Sequence, residues 1–190
     1  MIEVLVTMII ILVGLLGIAG LQIRAQLTEM ESYQRAQALI IMSDITDKMY
    51  INRETADCFA ITSNTTSGTP YLGTAGANHI GTPTCTSSTS AYNTQAVNTM
   101  QMINTQLTGA AETFGGNNVG SMIGARACVS YDNTDLINGR PGTGPYTLIV
   151  TWQGLADIVA PTNMNCGVGL YGNETNRRAV STTIRLGALN

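Results

Sequence analysis

The 190 residues predict an α+β molecule: a long N-terminal helix, apolar in its first half and amphipathic in its second, packed on an antiparallel β-sheet. Three observations point there. Val4 to Ile23 run without a charge, a spacing of threes and fours then continues without a proline until Pro70, and three strand-length segments lie beyond Gly124. Composition narrows the function classes further. Only 11% of residues are charged, against about 25% in an average soluble domain. A net charge of −3 supplies no electrostatic footprint for nucleic acid. One His and 5% aromatic residues make a His-rich metal centre or an aromatic-lined cofactor cavity hard to assemble, so no cofactor is expected and the reading leans away from an enzyme. More than half of the charges lie at or before Asp57, and between Cys58 and Ala125 the single one is Glu112, which divides the chain into two regimes.

The first element is the apolar run. Twenty residues at about 1.5 Å each make a helix of roughly 30 Å, the thickness of a bilayer hydrocarbon core. A cleaved signal peptide would show a basic start, a shorter apolar stretch and a small-residue cleavage site, whereas here the charge before the run is acidic and Leu21-Gln22-Ile23-Arg24 leads onward, so a retained anchor is expected over residues 1–23. Gly14, Gly17 and Gly20 recur every third residue and make the segment soft and closely packable, or simply reflect the glycine enrichment of membrane spans. Glu3, at the margin of the run, is costly in hydrocarbon. It must be partnered, protonated or held in headgroup water.

The second element continues the first. Leu27, Met30, Gln34, Ala38, Ile41, Ile45 and Met49 form one stripe, widened by Leu39, Ile40 and Met42, while Glu29, Glu31, Arg35, Asp44, Asp47, Lys48 and Arg53 take the polar positions. This predicts a single helix of about 75 Å from Ile2 to about Arg53, with residues 24–57 as the amphipathic continuation.

Ile2-Glu3-Val4-Leu5-Val6-Thr7-Met8, the apolar run with Leu15-Leu16-Gly17-Ile18-Ala19-Gly20-Leu21-Gln22, Arg24, and Tyr33-Gln34-Arg35-Ala36-Gln37 resemble the N-termini of type IV pilins. More narrowly, the chain is similar to minor pilins of the PilV type, called pilus-modification proteins. Gly124-Ala125-Arg126-Ala127-Cys128, the run from Tyr146 to Leu155 with Trp152, Cys166-Gly167, Leu170 to Glu174, Arg177-Arg178 and Val180-Ser181 follow in the order of that family's C-terminal half. The stretch from Ile61 to Gln106 carries no such likeness.

The resemblance implies a pilin-like fold and a structural role. A precursor would be cut after a Gly by an inner-membrane prepilin peptidase, N-methylated, and stacked into a filament by its helix. A short basic leader ending in Gly, then a few residues before Ile2, read in the codons upstream of Met1, is the observation that would support this resemblance most. Glu3 would match the family's acidic residue, which meets the N-terminal amine of a neighbouring subunit; a carboxylate and an amine that are each costly in an apolar bundle offset one another when paired. Implied partners are other pilins and minor pilins and a tip adhesin, with adhesion or motility as the outcome. The implied locations are the bacterial inner membrane, as a single-pass protein with its head in the periplasm, and the extracellular pilus. A minor pseudopilin of type II secretion shares this logic, and a membrane-anchored periplasmic ligand-binding module is the alternative from another class.

Residues 58–190 form the expected head. Thr62 to Ser90 is so rich in Thr, Ser, Gly and Asn that 58–90 reads as a polar loop. Four cysteines allow three pairings. The sequence-local choice, Cys58–Cys85 with Cys128–Cys166, fits an exported domain, and closing the first loop is worth about 3 kcal/mol in the chain-entropy model. A four-Cys metal site fails on spacing, and His79 lies inside the polar loop. Thr94 to Leu107, with Val97, Met100, Met102, Ile103 and Leu107 as candidate core residues, reads as a short helix ahead of a breaker region from Gly109 to Gly116. Ala125–Tyr131, Tyr146–Trp152 and Val180–Leu186 read as strands of a meander, the first two separated by a long turn from Asn133 to Pro145.

The remaining candidates each have a plain reading. Asp132 and Asp135 sit where turns favour Asp, and an acid–base pair is the less favoured role. Trp152 reads as a sheet-face aromatic before a binding residue, and Arg177-Arg178 beside Glu174 as a solvated charge cluster before a subunit contact. Asn64 and Asn173 fit the glycosylation acceptor pattern. Gly115-Gly116 lacks the strand, helix and Lys of a phosphate loop.

Overall fold

A computed structural model describes residues 2–109, 113–115, 117–118, 122–140 and 142–187. Its first element, α1, is one unbroken helix over Ile2–Ile51, 50 residues and about 75 Å long. It ends earlier than the sequence suggests. Asn52 leaves helical geometry at φ −98° and ψ 31°, and its side-chain Nδ2 donates to Lys48 O at 2.8 Å, so the last carbonyls are capped by the residue that stops the helix. Arg53–Phe59 then forms a short 3₁₀ segment broken at Thr55, which replaces the last residues of the expected amphipathic continuation.

Three long strands follow the turn signals: β4 (Ile123–Tyr131), β5 (Pro145–Gln153) and β6 (Arg177–Arg185). They pair antiparallel in sequence order, with Val129 opposite Leu148 and Val150 opposite Val180. The expected meander is therefore present, and α1 lies across it, an α+β layout consistent with a pilin-like fold. The third strand begins at Arg177 and ends at Arg185, shifted toward the N-terminus from the expected segment.

The supposed polar loop supplies a fourth strand. β1 (Leu72–Gly73) pairs with β4 at the sheet edge, Leu72 opposite Ala127, so the sheet order is β1-β4-β5-β6. Tyr71 and Leu72 are buried, although the surrounding composition is that of a solvated loop. Gly68 shows why this path requires glycine: its φ is +62°, and a Cβ there would collide with the backbone of Asn165 and Cys166. The second helix, α2 (Ser90–Leu107), begins a turn before the expected start at Thr94, where Asn93 both accepts from Ser88 N–H and donates to Ser88 O. Ala96, Thr99, Met100, Ile103 and Leu107 face inward; Val97 is half-buried and Met102 is exposed, a correction to the expected core set. In the breaker region β2 (Thr113–Phe114) and β3 (Asn117–Asn118) form a minimal hairpin, and Gly116 lies outside the described residues.

Alternation along the strands creates two cores. The face toward the helices carries Ala127 and Val129, Leu148, Val150 and Trp152, and Val180; these pack with Ile41, Ile45 and Met49 of α1 and with α2. Each large aliphatic side chain buried there contributes about 1.5–3 kcal/mol. The opposite face carries Cys128 and Ile149, covered by Tyr71, Cys166 and Leu170. Two disulfides fasten these layers. Cys58–Cys85, with Cα atoms 5.3 Å apart, ties the end of the α1 region to the approach to α2, and Cys128–Cys166, at 5.7 Å, ties the second sheet strand to the outer covering segment.

Replacing both Cys128 and Cys166 by Ala should lower unfolding free energy by about 2–4 kcal/mol. Denaturant unfolding followed through Trp152 fluorescence measures it, and a change below experimental error would show that the outer layer holds without its bridge.

Candidate functional site

The expected stripe on α1 is occupied only in part. Gln34, Ala38, Ile41, Ile45 and Met49 are buried, whereas Leu27 and Met30 are exposed. Both lie on the stripe side of the helix, Leu27 two turns before Gln34; the head reaches α1 only from Thr28 upward, which leaves Leu27 below it, and at the height of Met30 it meets the helix on the Glu31 side. Leu39 and Ile40 are also exposed, pointing away from the sheet, so the apolar stripe is narrower than expected; Met42 is partly buried against the core. Below the head, every aliphatic side chain from Ile2 to Ile23 that is larger than alanine is solvent-facing, Ile2 at 81% and Leu16 at 72% exposure. The apolar half of α1 is long and apolar enough to cross a membrane and buries none of that surface within the chain.

Glu3 occupies the first turn of α1 and is exposed. Thr7 Oγ1 donates to Val4 O, and no ion pair reaches Glu3 among the described residues. Gly14, Gly17 and Gly20 face open space, with nothing within 4 Å of a built Cβ, so none of the three is required by packing inside this chain.

Where α1 enters the head, sequence reasoning missed the principal polar contact. Glu31 Oε1 accepts from Arg178 Nη2 at 2.7 Å and from the backbone N–H groups of Leu155 and Ala156, each at 3.1 Å. Arg178 is buried and also donates to the carbonyls of Thr175 and Ala156. Partial burial would raise the Glu31 pKa, but the hydrogen bonds from Ala156 and Arg178 together with the guanidinium charge outweigh it and hold the carboxyl below its ordinary value of 4.5. Sheet alternation explains the arrangement. Arg178 pairs with Trp152 on the face toward α1, while its neighbour Arg177 points to the other face, where Nε meets Glu174 at 2.6 Å and the guanidinium donates to Met164 O and Pro161 O. The reading of Arg177-Arg178 as a solvated cluster is thus overturned: both are buried, one on each face of the sheet.

Beside this clamp lies a groove of about 400 Å³ between α1 and the loop after β5, lined by Thr28, Ser32, Trp152, Ile158, Val159 and Arg178 among others. Trp152 is 3% exposed and belongs to the core, as its plain reading expects, and its Nε1–H has no acceptor among the described residues.

The other candidates resolve into local structure. Asp132 Oδ1 accepts from the hydroxyl and N–H of Thr134, the hydroxyl bond chiefly holding its carboxyl below the ordinary value, and Asp135 pairs with Arg185 across the turn. His79 Nε2 lies 3.1 Å from Asn104 Oδ1, which also accepts from Gly73 N–H and so joins α2 to β1. Asn64 Oδ1 closes a turn by accepting from Thr66 and Ser67, and Asn173 caps Thr175. Among the described residues no cluster of three or more His, Cys, Asp or Glu side chains could hold a metal. Arg126 was not foreseen: it is buried between the rings of Tyr71 and Tyr171, 5.5 and 4.8 Å from their centroids, and donates to Gly124 O and Ala75 O. It pins the covering segment to the sheet's outer face.

Compared with known proteins, the chain matches no family model, no curated protein and no solved structure.

Glu31→Gln should cost about 1–3 kcal/mol of unfolding free energy at neutral pH, since a charge-assisted set of three hydrogen bonds is weakened. Because the folded-state pKa is depressed, the carboxylate's contribution is complete above the ordinary value of 4.5 and is lost as pH falls through the lower native value. Denaturant titrations of both proteins across that range should show their difference closing with acid; a constant difference would contradict the assignment.

Proposed function

We propose that this chain is a minor pilin of a type IV pilus, of the PilV type, which enters the filament through α1 and acts in the priming or tip complex that serves adhesion or motility. The observation that carries this reading is the division of one unbroken helix: an apolar half with no partner in its own chain, and a second half built into the core of an α+β head. Such a helix can exchange lipid for the helices of other subunits without refolding the head, which is what assembly from a membrane requires. The resemblance of residues 2–8 and 15–22 to pilin N-termini supports it. On this reading the role is structural rather than catalytic, and the two disulfides suit a head exposed to the periplasm and then to the medium.

Glu3 then supplies register. Without an ion pair among the described residues and at the edge of the apolar run, it is available to a neighbouring subunit's terminal amine, each charge relieving the desolvation of the other. A minor pseudopilin of type II secretion would use the same parts, and deletion of either assembly machinery in turn separates the two.

Glu3→Leu should leave the protein in the inner membrane at wild-type level while reducing its amount in sheared filaments at least about tenfold, the factor expected from losing about 1.4 kcal/mol of pairing energy. Immunoblots of both fractions read this. Equal recruitment would remove Glu3 from the mechanism, and a wild-type protein never found in filaments would favour the ligand-binding module.

A further inference from the structure

The loop after β5 ends in an apolar tip that the core does not use. Ile158 is 45% and Val159 87% exposed, with Ala160 and Pro161 beside them half-buried. A valine this exposed would be unremarkable on a frayed loop, but this loop is fastened on every side. Its start is held by Glu31 through the N–H groups of Leu155 and Ala156; Arg178 takes Ala156 O, Ile158 N–H donates to Thr175 O, and Arg177 reaches Pro161 O. Its one charge, Asp157, is drawn back to accept from the Thr175 hydroxyl at 2.9 Å. The named polar groups are engaged by the head, while the two branched aliphatic side chains stand exposed at the mouth of the groove.

The groove places the tip low on the head. Ile158 and Val159 line it together with Thr28, Glu31, Ser32 and Arg35, which stand about 7.5 to 18 Å along the helix axis past the end of the apolar run at Ile23. The headgroup layer on each side of a bilayer is about 5–7.5 Å thick beyond the hydrocarbon core. The lower end of the groove therefore stands at the outer edge of that layer when residues 4–23 span, and a tilt of α1 toward the loop, within the ordinary range of about 20°, brings the tip into it. Beneath the groove the helix carries Arg24, one turn before Thr28 on the same face; the apolar Leu27 and Ile23 lie on the adjoining stripe side and are exposed, and Glu29 is opposite the stripe.

We propose that the Ile158–Pro161 loop is a second, shallow membrane contact, inserting Ile158 and Val159 into the headgroup layer of the bilayer that α1 crosses and so fixing the tilt and rotation of the head before assembly. It rests on the reading of Val4–Ile23 as a membrane span. Two aliphatic side chains at an interface hold weakly, in keeping with a contact that must be given up when the subunit leaves the membrane.

The test places an environment-sensitive fluorophore on Val159→Cys in the full chain, whose native cysteines are all paired, reconstituted in vesicles of phosphatidylethanolamine and phosphatidylglycerol. Leu12→Cys reports the span and Val168→Cys serves as a partly exposed site elsewhere on the head. The expected result is a blue-shifted emission at 159 that shallow nitroxide lipids quench, a deep signal at 12, and a water-like signal at 168. A lipid signal at 12 with a water-like signal at 159 would overturn this inference and leave the span intact. Water-like signals at both would overturn the span and this inference together. A blue shift at 159 that disappears on dilution to one subunit per vesicle would assign the tip to a second copy of the chain instead. To guard against perturbation at one position, Ile158→Cys should report the same pattern.

Discussion

The head is held to its anchor along one seam. Gln34, Ala38, Ile41, Ile45 and Met49 bury a single stripe of α1 against the sheet and α2, and the Glu31–Arg178 clamp closes that stripe at its lower end. Below Thr28 the helix has only itself. Any force between the membrane half and the globular half must pass through this seam and the continuous backbone hydrogen bonds of the helix. That accounts for the tight packing on the stripe, where Ala38 and Met49 are fully enclosed, and for placing a charge-assisted contact where apolar packing gives out.

The same division governs how the head is built. Since α1 covers one face of the sheet, the other face needs its own layer, and the chain makes it from segments with little regular structure. Tyr71, Cys166 and Leu170 close over Cys128, while Arg126 lies between two tyrosine rings with its two terminal nitrogens donating to carbonyls. Such segments bury little aliphatic surface per residue, and the disulfide that closes the 38-residue span from Cys128 to Cys166 adds stability by restricting the unfolded chain. The anchor half can stay plain. Its glycines meet nothing within the chain, leaving that surface free to fit lipid or another helix.

Periodicity made most of this legible from sequence. The stripe spacing on α1 and the apolar runs and alternation along β4, β5 and β6 are local signals, and they placed the helix and the three long strands. What escaped depended on pairs far apart in the chain. Glu31 and Arg178 are 147 residues apart, and the dipeptide Arg177-Arg178 looks like a surface charge patch until the sheet sends the two side chains to opposite faces. The edge strand at Leu72–Gly73 was hidden by composition, because two buried residues inside a Ser/Thr/Gly-rich stretch barely alter its average. Leu27 failed for the converse reason. Its spacing is right, but where the head ends is set by the reach of the loop after β5, which helix periodicity does not encode.

Hydrogen exchange of the backbone amides from Arg24 to Met30, in the full chain held in a lipid nanodisc, tests the central claim most directly. These residues lie between the apolar run and the seam, and among the described residues no hydrogen bond or ion pair joins them to the head. The account of one continuous rod predicts slow exchange through the whole segment, graded smoothly into the protected amides on either side. Exchange at the rate of an unstructured peptide there, with protection retained on both flanks, would mean that anchor and head are separate pieces joined by a tether.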